Sequence, residues 1–162
     1  LDITPGSSIL EIGCGSGYNA AILQELTGEQ GLVCSVERIP ELASYAQSRL
    51  KLSGYDRIQI ILSDGKKGCP AYAPFDRIMV TAQGPEIPPA LIDQLCPGGT
   101  LVMPVDNMYA ADMVRMVKHL ENDPEITYRC IFLCTPAMIR YTRNTGGTYG
   151  SRKANHPSQC LY

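Results

Sequence analysis

A glycine-rich turn between a buried strand and a helix constrains this fold more than any other feature. Residues 8–13 (SILEIG) form a short apolar run that predicts a buried strand, and Gly15 and Gly17 follow at alternate positions. Apolar residues at helical spacing over residues 19–26 then predict a helix that stops at Gly28. Glycines allow a sharp turn and the close approach of a ligand. The helix N-terminus directs its N–H groups to the same point.

Strand and helix patterns alternate over the next eighty residues, which predicts an α/β fold with a mostly parallel sheet. After the first strand, strands are predicted at residues 32–37, 57–62, 75–81 and 100–105, and helices at 40–52 and 90–95. Two more strands, at residues 113–120 and 126–133, should pair through the turn at residues 122–124.

The pattern dissolves into Gly, Asn, Ser, Arg and Thr from residue 135 onward, with no acidic residue after Glu125. We therefore expect one folded domain over residues 1–134, followed by an irregular or disordered basic tail over residues 135–162.

Composition excludes several functions for this chain of 162 residues. A net charge of -2 argues against a general nucleic-acid binder. No apolar run approaches the roughly 20 residues of a membrane span. Seven cysteines without a CxxC pair, and only two histidines, favour free thiols over disulfides or a metal site. We expect a monomer in the cytoplasm that binds neither nucleic acid nor membrane and holds no metal.

The glycine spacing is GxGxG and not the GxGxxG of dinucleotide-binding folds. Tyr18 occupies the position of the third glycine, which leaves less room for a pyrophosphate and disfavours a nicotinamide oxidoreductase. The alternative for the motif alone is a tight strand-to-helix turn without a ligand.

Acidic residues end the next two predicted strands. Glu37 lies about 20 residues after the glycines, where a carboxylate can accept hydrogen bonds from ribose hydroxyls. Asp64, followed by Gly65, ends the third strand, where a carboxylate can accept from an adenine amino group. Alone, Glu37 could be a helix-entry charge and Asp64 a turn residue. Carboxyl ends of parallel strands meet at one edge of the sheet, so together they indicate a nucleoside site.

Five stretches of the chain resemble the protein-L-isoaspartate (D-aspartate) O-methyltransferase family, from about Leu1 to Val105 and more loosely to Leu133. They are ILEIGCGSGYNAAIL, SVERIPELASYAQ, SDGKKG, APFDRIMVTAQGP and LIDQLCPGGTLVMPV. The resemblance implies a Rossmann-like class I methyltransferase fold, with a mostly parallel seven-stranded sheet and helices on both faces. It also implies S-adenosylmethionine as methyl donor, the carboxyl group of L-isoaspartyl residues in damaged proteins as acceptor, and a role in protein repair.

The resemblance also implies roles for particular residues. Glu11, Gly13, Gly15 and Gly17 would flank the methionine part of the cofactor, Glu37 would hold the ribose, and Asp64 with Gly65 the adenine. Thr81, Ala82 and Gln83 would face the substrate, unless they form an ordinary strand-to-helix loop. No catalytic side chain is expected in this chain, because the family's serine lies in a segment upstream of Leu1.

Two alternatives stay open at this point. One is a methyltransferase of the same fold with another acceptor, and the other is an inactive S-adenosylmethionine-binding fragment. The stretch from residue 131 onward departs from the family pattern, in which a strand near the end of the chain contacts the substrate peptide.

Overall fold

The computed structural model describes residues 1–106, 111–119, 125–130 and 138–142, with side chains for the first two ranges except Ala111. These residues form one mixed sheet and three α-helices. The strands are β1 (Ser8–Ile12), β2 (Leu32–Glu37), β3 (Gln59–Leu62), β4 (Phe75–Val80), β5 (Leu95–Asp106), β6 (Ala111–Lys118), β7 (Glu125–Cys130) and β8 (Met138–Thr142). The helices are α1 (Tyr18–Thr27), α2 (Pro40–Leu52) and α3 (Pro89–Asp93), and two short 3-10 turns, Gly65–Lys67 and Pro70–Tyr72, lie between β3 and β4.

The strand order is β3-β2-β1-β4-β5-β6-β7-β8. Strands β1 to β5 run parallel, and β6, β7 and β8 add antiparallel pairs at one edge. The α/β class and the predicted pairing of the sixth and seventh strands are therefore confirmed. The turn predicted at residues 122–124 lies outside the described residues.

The expected count of seven strands is wrong, because the described chain forms eight. Six of them, β1 to β6, lie where side chains are described, and β7 and β8 extend the sheet beyond them. Strand β8 falls in the segment predicted to be irregular. Ile139, Tyr141 and Thr142 are β-branched or aromatic residues, which favour strands. The backbone of this segment pairs with β7 in an antiparallel arrangement. The rest of residues 135–162 lies outside the described residues.

Both faces of the parallel strands are buried, which explains why their sequences are almost continuously apolar. Ile9 packs in a cluster with Ala20 and Leu23 of α1. Its neighbour Leu10 faces the opposite side, in a cluster that includes Leu91 of α3. Helices therefore cover both faces of the sheet, as expected.

Helix α2 has the predicted bounds, with Pro40 in its first turn. Helix α3 is shorter than predicted and β5 is longer, because Leu95 already pairs with Phe75 of β4. A register irregularity between Phe75 and Arg77 accommodates the Pro-Gly-Gly turn within β5.

The strand order reverses beside β1. The chain moves from β1 outward to β2 and β3, and then crosses to β4 on the other side of β1. In open α/β sheets this reversal leaves a crevice at the carboxyl ends of the two central strands, where ligands bind. The glycine turn after β1 and the loop after β4 border this crevice.

Candidate functional site

The glycine turn is tied to both neighbouring strands. The Gly13 N–H donates to the Val36 carbonyl of β2 at 2.8 Å, and Gly13, Gly15 and Gly17 all have positive φ angles, of 98°, 55° and 83°. A Cβ atom on Gly13 would lie 2.4 Å from Thr81 Oγ1, whereas one on Gly15 would meet nothing within 4 Å. Gly13 is therefore required by packing, and Gly15 borders open space at the start of α1.

Glu37 is the link between β2 and this turn. Its Oε2 accepts from the Gly15 N–H at 3.0 Å, and its Oε1 accepts from the Arg38 and Ile39 N–H groups at 2.9 and 3.0 Å. Burial alone would raise the pKa of this carboxyl, but the three N–H donors outweigh it and hold the pKa below its ordinary value. The structure thus brings Glu37 and Gly15 together and keeps the carboxylate ionised.

Glu11 lies beneath α1, with 0% of its surface exposed. Asn19 Nδ2 donates to its Oε1 at 2.6 Å, and Ser35 Oγ donates to its Oε2 at 2.5 Å. Burial raises the pKa of the Glu11 carboxyl, and the two hydrogen bonds oppose the rise. Contact of Glu11 with a cofactor stays a prediction.

Asp64 and Gly65 lie at the same edge, after β3. Asp64 is exposed, and its Oδ1 accepts from the Lys66 N–H at 3.0 Å, so it begins the following 3-10 turn. A Cβ atom on Gly65 would lie 2.4 Å from Ile12 Cγ2, which shows how closely this loop approaches the end of β1. The exposed Asp64 carboxylate retains lone pairs for a ligand.

Thr81 has a different surrounding from the one expected for a substrate-facing residue. Its Oγ1 lies 2.9 Å from the carbonyl oxygens of both Ile12 and Gly13, which share its single O–H donor. Its N–H also donates to Ile12. Thr81 therefore braces the glycine turn against β4, and a role toward substrate stays a prediction.

Ala82 and Gln83 are exposed at the crevice. Gln83 Nε2 donates to Asp106 Oδ1 at the end of β5, and the Asp106 N–H donates to the Gly84 carbonyl at 2.8 Å. This loop is therefore fastened to β5 while its two side chains still border open solvent.

Sequence reasoning missed three polar residues of this edge. Asp106 directly follows the predicted fifth strand, which is the same signal that identified Glu37 and Asp64. Ser35 is a polar residue inside a buried apolar strand, and Asn19 opens the predicted first helix. A polar side chain inside a buried strand, as at Ser35, indicates a hydrogen-bonding partner within the fold.

Among the described residues, no helix has the length and hydropathy needed to span a membrane. Likewise, the described part of the chain contains no group of three His, Cys, Asp or Glu side chains placed to hold a metal ion.

The fold is that of the Rossmann-like class I methyltransferases, since solved proteins of that fold superpose on this chain. Within that class, the family model of protein-L-isoaspartate(D-aspartate) O-methyltransferases matches residues 1–137, and the chain belongs to this family. The resemblance identified from the sequence is thereby confirmed.

Curated relatives and a solved structure agree with this family. The chain is 49% identical over 114 residues to the protein-L-isoaspartate O-methyltransferase of Methanopyrus kandleri, covering 70% of this chain and 50% of that protein. With the protein of the same name from Hyperthermus butylicus it shares 43% identity over 141 residues, covering 82% of this chain and 58% of that protein.

A solved protein-L-isoaspartate O-methyltransferase superposes with a TM-score of 0.75 at 29% identity, over 89% of this chain and 44% of that one. The chain therefore spans about half the length of the curated relatives it matches.

Proposed function

We propose that this chain binds S-adenosylmethionine at the carboxyl edge of β1 to β4, and that the protein transfers its methyl group to the carboxyl of L-isoaspartyl residues in damaged proteins. The observation that carries the proposal is the Glu37 carboxylate, ionised and fixed on the glycine turn. Family membership and relatives bearing this activity in their names support the choice of acceptor.

The residues present fit the proposed cofactor. Three of the roughly four lone-pair positions of Glu37 are used by backbone N–H groups, which leaves one for a ribose hydroxyl. The open space beside Gly15, at the N-terminus of α1, suits the methionine part. The exposed Asp64 would accept from the adenine amino group.

When bound, S-adenosylmethionine supplies an electrophilic methyl group on a sulfonium centre. The chain's own task is alignment, because an acceptor carboxylate is already ionised near neutral pH and needs no base. Glu37 would fix one end of the site, and Thr81 keeps the glycine turn in register with β4. The loop with Ala82 and Gln83 would border the acceptor and limit the access of water.

We further propose that the protein is a monomer of the cytoplasm and that isoaspartyl proteins and peptides are its partners. Four described cysteines, Cys14, Cys34, Cys69 and Cys96, are free thiols, which supports a reducing compartment. The net charge of -2 gives no basis for nucleic-acid binding.

Labelled methyl transfer to two matched peptides tests the proposed function. The peptides differ only in an isoaspartyl or a normal aspartyl linkage. The enzymes are this chain and a chimera that joins it to the remaining sequence of the Methanopyrus kandleri relative. From the chimera we expect label on the isoaspartyl peptide alone, and from this chain by itself little or no label on either peptide. Methylation of both peptides contradicts the proposed acceptor. Methylation of a small molecule, with neither peptide methylated, contradicts it as well.

A further inference from the structure

A buried polar cluster lies directly beneath the proposed cofactor site. It consists of Glu11 of β1, Asn19 of α1 and Ser35 of β2, and it is called here the Glu11 cluster. Glu11 and Ser35 are direct neighbours in the register of β1 and β2, and neither has any exposed surface. Three elements that border the site therefore meet at one carboxylate.

The carboxylate depends on few donors. Each oxygen of Glu11 receives one side-chain hydrogen bond, from Asn19 Nδ2 at 2.6 Å and from Ser35 Oγ at 2.5 Å. Hydrogen-bond donors offset the free-energy cost of removing a charged group from water. A buried carboxylate that loses one of its donors is therefore strongly destabilised. Ser35 is therefore half of the described support of this carboxylate.

The cluster is coupled to the site above it through short connections. Ser35 lies two residues before Glu37 on the same face of β2, because side chains alternate along a strand. Asn19 lies two residues after Gly17, in the first turn of α1. A shift of Glu11 would therefore move the first turn of α1 relative to the Glu37 carboxylate.

We propose that Ser35 is a positioning residue of the cofactor site, which acts through Glu11 to hold the first turn of α1 against the end of β2 and touches no ligand itself. This inference rests on the proposed function, since the ligand that reports on the geometry is S-adenosylhomocysteine. A purely structural role would lower stability without linking cofactor affinity to the ionisation of Glu11.

The ionisation of Glu11 can be followed separately from its neighbours. The titratable groups that face it are Glu37 and Cys14. Burial raises the pKa of the Cys14 thiol, so it stays neutral near pH 7, and the pKa of Glu37 is held low, so it stays ionised. Glu11 is the carboxyl of this group whose pKa burial raises, so its ionisation can be distinguished from that of Glu37.

Calorimetric titration with S-adenosylhomocysteine from pH 5 to pH 8 tests the proposal on the chain and on Ser35→Ala, Glu11→Gln and the double variant. We expect Ser35→Ala to weaken binding roughly tenfold at pH 7, the equivalent of one hydrogen bond to a charged group. As the pH is lowered, the affinity of Ser35→Ala should begin to fall at a higher pH than that of the unaltered chain, because the Ser35 hydroxyl favours the ionised form of Glu11. In the Glu11→Gln background the same substitution should change affinity less than about twofold.

Two further variants control the experiment. Ser8→Ala removes a buried hydroxyl of β1 that has no hydrogen-bond partner among the described residues, so it should leave affinity and its pH dependence unchanged. Asn19→Ala removes the other donor at a half-buried helical position, where alanine favours helix, and it should repeat the effect if Ser35→Ala does not fold.

The possible failures separate the two proposals. If the unaltered chain binds S-adenosylhomocysteine but Ser35→Ala and Asn19→Ala bind equally well at every pH, the positioning role is wrong and the proposed function stands. An equal loss from Ser35→Ala with and without Glu11→Gln also overturns it, since the effect then does not pass through Glu11. A folded, unaltered chain that does not bind at all contradicts both proposals.

Discussion

The two sides of the crevice are built in opposite ways. On the β2 side, Glu37 is 6% exposed and accepts three backbone hydrogen bonds, and Glu11 of the neighbouring strand β1 is completely enclosed. On the β4 side, Ala82 and Gln83 are exposed, and the loop is held mainly by backbone bonds of Gly84 to β5.

The difference shows which half of the site the described fold determines by itself. Buried carboxylates must be provided with donors in the folded chain, so the β2 side is fixed before any ligand arrives. Exposed loop side chains carry no such requirement, and their positions depend on what they contact. The cofactor half is thus preorganised, while the acceptor half leaves room for groups supplied by a partner molecule or by other parts of the protein.

The largest effect should follow from Gly13→Ala. The new Cβ would lie 2.4 Å from Thr81 Oγ1, at a φ of 98°. Strain and overpacking together should lower the free energy of unfolding by about 3 kcal/mol and abolish measurable cofactor binding. Urea denaturation and calorimetry measure the two effects.

Gly6→Ala is the matched control for that variant. Gly6 has a similar φ of 86°, but a Cβ there would meet nothing within 4 Å, so only the backbone strain is shared. Adding Thr81→Ala to Gly13→Ala should recover part of the lost stability by removing the clashing atom. Equal losses in the Gly6 and Gly13 variants would show that the contact with Thr81 is unimportant.

A second prediction concerns the pH dependence of stability. The folded pKa of Glu11 is raised, so its contribution to stability is complete below its ordinary pKa and is lost as pH rises through the folded value. Glu11→Gln should therefore gain stability relative to the unaltered chain as pH rises from 4 to 8. Glu37 has a lowered pKa, so its contribution is present at neutral pH and is lost as pH falls through the folded value.

Urea denaturation at several pH values measures this difference for Glu11→Gln and for Glu37→Gln. The two variants should differ in the sign of their slope against pH. If both slopes have the same sign, the contrast between burial, which raises the pKa of Glu11, and backbone hydrogen bonds, which lower the pKa of Glu37, is wrong.

The smallest effect should come from Gln83→Ala on the β4 side. Gln83 is exposed, so the free energy of unfolding should change by less than about 0.5 kcal/mol and affinity for S-adenosylhomocysteine by less than about twofold. If the loop borders the acceptor, the KM for an isoaspartyl peptide in the chimera should rise while cofactor affinity stays constant. A large loss of cofactor affinity would contradict the division of the crevice into two halves.

Sequence patterns predicted the elements that depend on local chemistry. Helix α2 begins at Pro40 where expected, and Glu37 lies on the glycine turn because strand ends meet at one edge. The predicted number of strands was wrong because β8 is stabilised by pairing with β7, and the sequence of β8 does not indicate that pairing.

The finer arrangement of the site was also beyond the sequence. The spacing did not show that Thr81 contacts Gly13, or that Glu11 faces inward to Ser35. Both depend on the register between strands that are distant in the chain, and a shift of one residue would reverse the faces of a strand.

Calorimetric titration of the folded chain with S-adenosylhomocysteine and with NAD tests the central claim most directly. Glu37→Ala is compared with Glu41→Ala, which removes an exposed carboxylate from the first turn of α2. We expect binding of S-adenosylhomocysteine in preference to NAD, weakened by roughly 1.5–3 kcal/mol in Glu37→Ala and unchanged in Glu41→Ala. Equal affinity for NAD, or a folded Glu37→Ala variant that binds as tightly as the unaltered chain, would contradict the assignment of this edge as the cofactor site.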